Sequence, residues 1–201
     1  TKAAVATGAD LVGYSGSITN TDYLERNFGG SYNGQSTLAV MFWAYGANGA
    51  NLWNWYEDTA GGISPLSLQS YIDGATGSIR YIWQGRQLLN SSADGADARG
   101  RWTHQVLILD GGDVKIYEDG NLVTTNTTAI TTSLYSWRAQ FTAGTKGALV
   151  RFSETIPTAD QIKKIYEDEK VLFQENAKAT LYYDGTSSDP DAVTALAHDP
   201  V

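Results

Sequence analysis

The chain has 201 residues and contains no cysteine, four prolines and one methionine. Without cysteine it can form neither disulfides nor thiolate metal sites. It has no apolar run of about 18 residues, the length that a membrane-spanning helix needs, so the sequence predicts no membrane insertion. The two histidines, His104 and His198, lie far apart and belong to no His-x-His pair, so neither predicts a metal or catalytic centre.

Positive charge is also scarce. The chain carries 14 basic and 22 acidic residues, and its formal net charge is −8. Proteins that bind duplex nucleic acid use concentrated Lys and Arg to displace counter-ions from the phosphates. Nucleic acid is therefore not a predicted partner.

Glycine and aromatic residues are abundant, with 21 Gly, 12 Tyr and 6 Trp. Residues 102–109 and 114–117 are mostly β-branched, aromatic or aliphatic, which predicts two strands. The sequence Asp-Gly-Gly-Asp at 110–113 supplies the positive φ of a hairpin turn, and Asp-Gly-Asn at 119–121 does so again.

The rest of the chain repeats this pattern and then changes. Further strands are predicted at 9–14, 21–26, 38–45, 52–56, 66–72, 78–83, 137–143 and 147–153. The polar segment 89–101 predicts a long exposed loop. Thr158 and Gln161 have the spacing of a capping box, and apolar residues then recur at helical spacing, which predicts an amphipathic helix over 158–176. We expect its apolar stripe to dock on the strands; a coiled-coil seam is the alternative, for which about two heptads are few.

Two of these motifs resemble those of a known family. The pattern Gly-x-Trp-x-His of residues 100–104 with its hairpins, and the apolar strand 148–153 followed by the helix from Thr158 to Tyr166, are similar to laminin-G-like domains. These belong to the concanavalin A-like lectin and glucanase sandwiches. The resemblance implies an all-β fold, an antiparallel jelly-roll β-sandwich with a C-terminal α-helix.

The resemblance also implies a division of the chain. We expect residues 1–156 to form the laminin-G-like sandwich and 157–178 the helix. Residues 179–201 are expected to be a tail that begins a further, truncated segment. Within the sandwich, Trp43 and Trp102 occupy positions typical of core residues in the family, and His104 that of a structural histidine.

Residues 162–173 resemble the helix that follows such a module in phage tail-fibre (appendage) proteins. This implies a receptor-binding module for host attachment at the virion surface, or extracellular, with a glycan or bacterial surface polysaccharide as its partner. A homotrimer within a fibre is also implied. The alternative is a structural spacer or oligomerisation module without its own ligand.

The carboxylates do not match the glucanases of this superfamily. Those enzymes hydrolyse glycosides with two carboxylates on one strand, in a Glu-x-Asp-x-Glu pattern that this sequence lacks. The nearest cluster, Glu167-Asp168-Glu169, lies on the predicted helix, where it is typical of a solvated face. The sequence therefore predicts no catalytic residues and a protein that is not an enzyme, although catalysis by unfamiliar residues stays an alternative.

Tryptophans beside polar groups are the predicted ligand site, because sugar rings stack their apolar faces on aromatic rings. Trp53 and Trp55 share one face of a short strand. Their polar neighbours are Asn54, Glu57 and Asp58, and Trp83 with Arg86 ends the following hairpin. The alternative is that these tryptophans fill the sandwich core.

Calcium is the one cofactor that the sequence leaves open. Asp94 and Asp97 in the 89–101 segment, together with Asp58, are candidate ligands for this hard cation. Loop aspartates are also common as solvated turn residues, which is the alternative. No other cofactor is predicted.

Overall fold

The computed structural model describes residues 2–15, 24–33, 37–47, 51–59, 62–83, 86–90, 97–111, 113–126, 133–140 and 144–178. These residues form strands and one helical segment near the C-terminus. The strands are β1 (Lys2–Ala4), β2 (Val12–Ser15), β3 (Leu24–Asn33), β4 (Thr37–Tyr45), β5 (Asn51–Thr59), β6 (Gly62–Ile72), β7 (Ile79–Trp83), β8 (Arg86–Asn90), β9 (Trp102–Asp110), β10 (Asp113–Glu118), β11 (Asn121–Asn126), β12 (Ser133–Gln140) and β13 (Lys146–Ser153).

The strands form two antiparallel sheets. The seven-stranded sheet has the order β1-β2-β13-β4-β9-β10-β11, and the six-stranded sheet has the order β3-β12-β5-β6-β7-β8. Apolar side chains of both sheets meet in one core cluster, which joins Leu38 and Val40 of β4 to Ile72 of β6 and Ile79 of β7. The predicted fold class, an all-β antiparallel sandwich with a C-terminal helix, is confirmed.

Strand β4 is buried on both faces, which explains why its sequence is apolar throughout. Leu38, Val40 and Phe42 face the core between the sheets. Met41 and Trp43 point to the opposite face, where further apolar clusters bury them. The seven-stranded sheet is therefore covered on its outer side as well.

The cover is supplied by the C-terminal helix α1 (Ala159–Glu169), which continues into a 3₁₀ turn (Lys170–Phe173). The predicted capping box is present, because the Thr158 hydroxyl accepts from Gln161 N at 3.2 Å and the Gln161 side chain accepts from Thr158 N at 2.8 Å. Ile162 is fully buried in the outer cluster. The α-helix ends seven residues before the predicted 176, and no helix of the described residues is long and apolar enough to span a membrane.

The tight turn between β10 and β11 shapes the sheet and also positions side chains. Asp119 has φ +48° and Gly120 has φ +79°, the left-handed region that the Asp-Gly sequence predicts. The Asp119 carboxylate accepts from the backbone N–H of His104 at 2.9 Å and from the Arg101 guanidinium at 2.7 Å. This turn therefore fixes the start of β9.

One end of the inner core is polar. Tyr81 of the six-stranded sheet approaches Glu118, which lies opposite Gln105 in the β9–β10 register. Tyr81 and Gln105 are buried, and Glu118 is partly buried with its Oε1 atom inaccessible. Burial raises the pKa of Glu118 to about 7. The carboxyl is therefore a group that titrates near neutral pH.

The prediction of a long exposed loop over 89–101 is wrong at both ends. Residues 86–90 form β8, which pairs with β7, and Ala98 is buried in the core. The backbone N–H of Ala98 donates to the Gly77 carbonyl at 2.9 Å, and Arg99 forms a parallel bridge with Gly46. Residues 91–96 lie outside the described residues.

Candidate functional site

A groove of about 820 Å³ lies on the outer face of the seven-stranded sheet. Its aromatic lining comes from three elements: Trp43 and Tyr45 of β4, Trp102 of β9, and Tyr166 and Phe173 of the helical segment. Residues 3–8 form a further wall. The groove therefore lies where the helix and the N-terminal segment meet on the sheet.

The aromatic rings of the groove differ in how far they are exposed. Trp43 is 2% exposed, because Phe173 stacks on it at a ring distance of 4.2 Å and Tyr166 at 5.8 Å. Tyr45 and Trp102 are opposite each other in the β4–β9 register, and their tilted rings are 5.7 Å apart. Both are partly exposed, so they are the aromatic side chains of the sheet that a ligand can reach.

The N-terminal wall is fixed by hydrogen bonds to the rest of the groove. The indole N–H of Trp102 donates to the Val5 carbonyl at 2.9 Å. Beyond the groove, Asn176 N donates to the Thr7 carbonyl at 2.7 Å, and Asp10 N donates to the Ala177 carbonyl at 3.0 Å. The wall is thus held between β9 and the segment that follows the helix.

A buried carboxylate holds the helix against the groove floor. Glu169 is 9% exposed and accepts a 2.7 Å hydrogen bond from the indole N–H of Trp43. It also pairs with Arg151 of β13. The prediction that residues 167–169 form a solvated face is wrong for Glu169, because its helix position points it at the sheet, whereas Asp168 is exposed.

His104 lies beneath the same aromatic rings. It is fully buried, with its ring centre 5.2 Å from that of Trp43 and 6.2 Å from that of Tyr166. Burial lowers the pKa of His104 to about 4, so the ring is neutral at pH 7. Its burial agrees with the structural role predicted for it.

The charged groups of the groove are mostly paired. Arg101 Nη1 lies 2.7 Å from Asp119 Oδ2. Lys170 pairs with Glu167, which keeps the pKa of that carboxyl low. Lys146 Nζ lies 5.0 Å above the Tyr45 ring. The groove therefore offers aromatic surface with a polar rim, which is the composition of many small-molecule sites.

No protein-family model and no curated protein sequence matches the chain. Solved structures do match. Trypanosoma rangeli sialidase in complex with sialic acid aligns with 83% of this chain at a TM-score of 0.57 and 11% identity. The binding domain of botulinum neurotoxin serotype D aligns with 78% at a TM-score of 0.53 and 15% identity. The likeness is one of fold.

The matched proteins are longer than this chain. The alignment spans 30% of the sialidase chain and 41% of the neurotoxin domain. The matches contradict one prediction made above, that the protein is not an enzyme, because sialidases are enzymes and about 30% of the sialidase chain has this fold. That prediction is withdrawn, and the missing Glu-x-Asp-x-Glu pattern excludes only the glucanase arrangement.

The residues of the predicted tryptophan site lie in the six-stranded sheet, where the structure describes their backbone. Trp55 is opposite Leu68, and Leu68 is opposite Trp83, which itself pairs with Arg86. The backbone register therefore aligns Trp55, Trp83 and Arg86 across four neighbouring strands. The side chains of these residues lie outside the description, as do those of Trp53, Asn54, Glu57 and Asp58.

The backbone register of Trp53 is described as well. Trp53 is opposite Ser70, and Ser70 is opposite Tyr81. Ser70 and Tyr81 are both buried. Both interpretations of Trp53, a ligand surface and the sandwich core, therefore stay predictions.

The candidate calcium ligands are not assembled among the described residues. Asp97 pairs with Arg99, whose side chain and backbone N–H both donate to it, and these bonds lower the pKa of Asp97 to about 2. Asp94 lies outside the described residues, and only the backbone of Asp58 is described. In the described part of the chain, no group of three or more His, Asp or Glu side chains could hold a metal.

The groove residues were not identified from the sequence. Trp102 was assigned to the core, but it is only half-buried and lines the groove. Trp43 is buried as predicted, although beneath the helix rather than between the sheets. A signal was present, because Met41, Trp43 and Tyr45 form an apolar face that a sandwich core alone does not require.

Proposed function

We propose that this domain binds carbohydrate, and that the groove beneath the helix is its ligand site. One observation carries the proposal: Trp102 and Tyr45 form a partly exposed aromatic corner in a concave site with charged residues at its rim. Sugars present an apolar C–H face and hydroxyl groups together, and such a site can satisfy both. The fold shared with part of a sialidase that is bound to sialic acid supports a carbohydrate ligand in general, and at 11% identity it does not specify the kind of sugar.

The test is a glycan array with the purified chain, run with and without calcium. We expect calcium-independent binding that Tyr45→Ala and Trp102→Ala each weaken about tenfold or more, the loss expected for a central aromatic anchor. Tyr71→Ala is the matched control, because Tyr71 is a partly exposed strand tyrosine of the other sheet. Thermal melting establishes that each variant is folded, and the more peripheral Tyr45 keeps the test informative if Trp102→Ala does not fold.

The tryptophan surface predicted from the sequence is the competing site. A second alternative is a site that depends on calcium bound by Asp94 and Asp97. Binding that survives Tyr45→Ala but is lost in Trp53→Ala places the ligand on the six-stranded sheet. Binding that a chelator abolishes favours the aspartates. No binding to any glycan, from a folded protein, refutes a carbohydrate function and favours the spacer alternative.

The wider setting is a further part of the proposal. From the resemblance of residues 162–173 we infer a phage tail-fibre module, exposed at the virion surface, that binds bacterial surface polysaccharide as part of a homotrimer. The support is the sequence resemblance. Mass measurement of the chain in solution tests the trimer, and a strict monomer at high concentration counts against assembly through this domain.

A further inference from the structure

The charges around the groove indicate which class of sugar it takes, an inference that rests on the proposed function. Four charged side chains line the groove: Arg101, Lys146, Lys170 and Glu175. Taken alone, this excess of cations suggests a site for an acidic sugar. The ion pairs around the groove lead to a different conclusion.

Arg101 and Lys170 are already neutralised by carboxylates that do not line the groove. Arg101 binds Asp119 through Nη1, and its Nε donates to the Asp97 carbonyl at 2.7 Å. Lys170 pairs with Glu167. A carboxylate or sulfate on a ligand would have to compete with these partners, so neither cation is available to it at full strength.

The other two charged groups of the lining have opposite signs. Lys146 lies over the Tyr45 ring, and no carboxylate partner for it is found within the described ranges. Glu175 supplies the opposite charge in the same lining. With the ion-pair partners of Arg101 and Lys170 included, three cations and three carboxylates lie in or beside the groove, and the whole chain carries a net charge of −8, whose field repels anions.

The indole N–H groups of the aromatic floor are also occupied. The indole N–H groups of Trp43 and Trp102 donate to Glu169 and to the Val5 carbonyl. What the corner of Trp102 and Tyr45 presents to a ligand is therefore ring surface together with the single hydroxyl of Tyr45. Ring surface stabilises the apolar face of a sugar and offers nothing to a carboxylate, whose desolvation is costly.

We propose that the groove binds an uncharged sugar residue, stacked at the Trp102 and Tyr45 corner, and discriminates against sugars that carry a carboxylate or sulfate. Recognition then depends on ring contact and on hydrogen bonds from sugar hydroxyls to the rim. Electrostatic attraction contributes little to the affinity.

The experiment compares sugars that differ only by oxidation of the C6 hydroxymethyl group to a carboxylate. Oligosaccharides of glucose, galactose or mannose are titrated calorimetrically into the full chain beside their uronic acid counterparts. We expect the neutral member of a pair to bind at least about tenfold more tightly, because an unpaired carboxylate loses its hydration. Raising NaCl from about 20 to about 300 mM should change the neutral affinity less than about twofold.

The charge on Lys146 is tested separately. In Lys146→Gln the neutral member of a pair should still bind at least about tenfold more tightly than its uronic acid counterpart, and Lys115→Gln, which breaks an ion pair outside the groove, is the matched control. A preference for the uronic acid that falls with salt or is lost in Lys146→Gln overturns this inference while leaving carbohydrate binding intact. Failure to bind either member of any pair refutes the proposed function and this inference with it.

Discussion

Replacing Glu169 tests how the helix is held against the sheet. This carboxylate is the buried partner of both the Trp43 indole N–H and the Arg151 guanidinium. Glu169→Ala leaves the Trp43 N–H buried without its acceptor, since Trp43 is 2% exposed. The Arg151 side chain is 39% exposed, so water can replace Glu169 at its guanidinium, and the loss of this ion pair adds less to the destabilisation.

The expected cost follows from these two environments. A hydrogen bond to a charged group contributes about 1.5–3 kcal/mol, and an ion pair with one exposed member at most about 1 kcal/mol. Glu169→Ala should therefore destabilise the protein by about 3 kcal/mol. Glu169→Gln keeps an acceptor for Trp43 and should cost about 1 kcal/mol.

The assay is urea unfolding followed by tryptophan fluorescence, with hydrogen exchange of residues 159–173 as a local readout. With a slope of about 2–3 kcal/mol per molar urea, the alanine variant should shift the midpoint by about 1 M. The control is Asp168→Asn, because the neighbouring Asp168 forms an exposed pair with Lys164 and should matter by less than about 0.5 kcal/mol. Equal effects of Glu169→Ala and Asp168→Asn would refute the idea that Glu169 anchors the helix.

Two further predictions concern the sandwich. Burial raises the pKa of Glu118 from 4.5 to about 7, so the contribution of this residue to stability is complete below pH 4.5 and is lost as the pH rises through 7. Burial lowers the pKa of His104 from 6.5 to about 4, so the contribution of His104 is complete above pH 6.5 and is lost as the pH falls through 4. In urea unfolding, the stability of Glu118→Gln relative to the wild type should therefore increase by up to about 2.5 kcal/mol between pH 5 and pH 8. A difference in stability that does not change with pH would contradict a raised pKa of Glu118. Gly77→Ala should destabilise by about 1–2 kcal/mol in the same assay, because φ there is +75° and a methyl group would displace the exposed Asp97 carboxylate from its pair with Arg99. Gly111→Ala, with φ +62° and open space around it, isolates the backbone cost of about 1 kcal/mol, and equal losses at both glycines would argue against the contact.

Local chemistry let the sequence predict the strands, turns and helix start. The 102–117 hairpin, the Asp119–Gly120 turn and the Thr158 capping box all depend on neighbouring residues, and each is present in the structure. The apolar pattern of 38–45 likewise predicted a strand, and β4 covers those residues. Alternation and turn propensity act over a few residues, so they can be read without knowing the fold.

The sequence could not show which surfaces the strands and helix cover. Glu169 has the same local surroundings as Asp168, and only the direction of the helix on the sheet makes one buried and the other solvated. Ala98 lies in a polar segment, yet its contact with Gly77 brings it into the core. The groove needs β4, β9, the helix and residues 3–8 together. Burial and concavity arise between residues far apart in the chain, so the tertiary structure alone decided the candidate site.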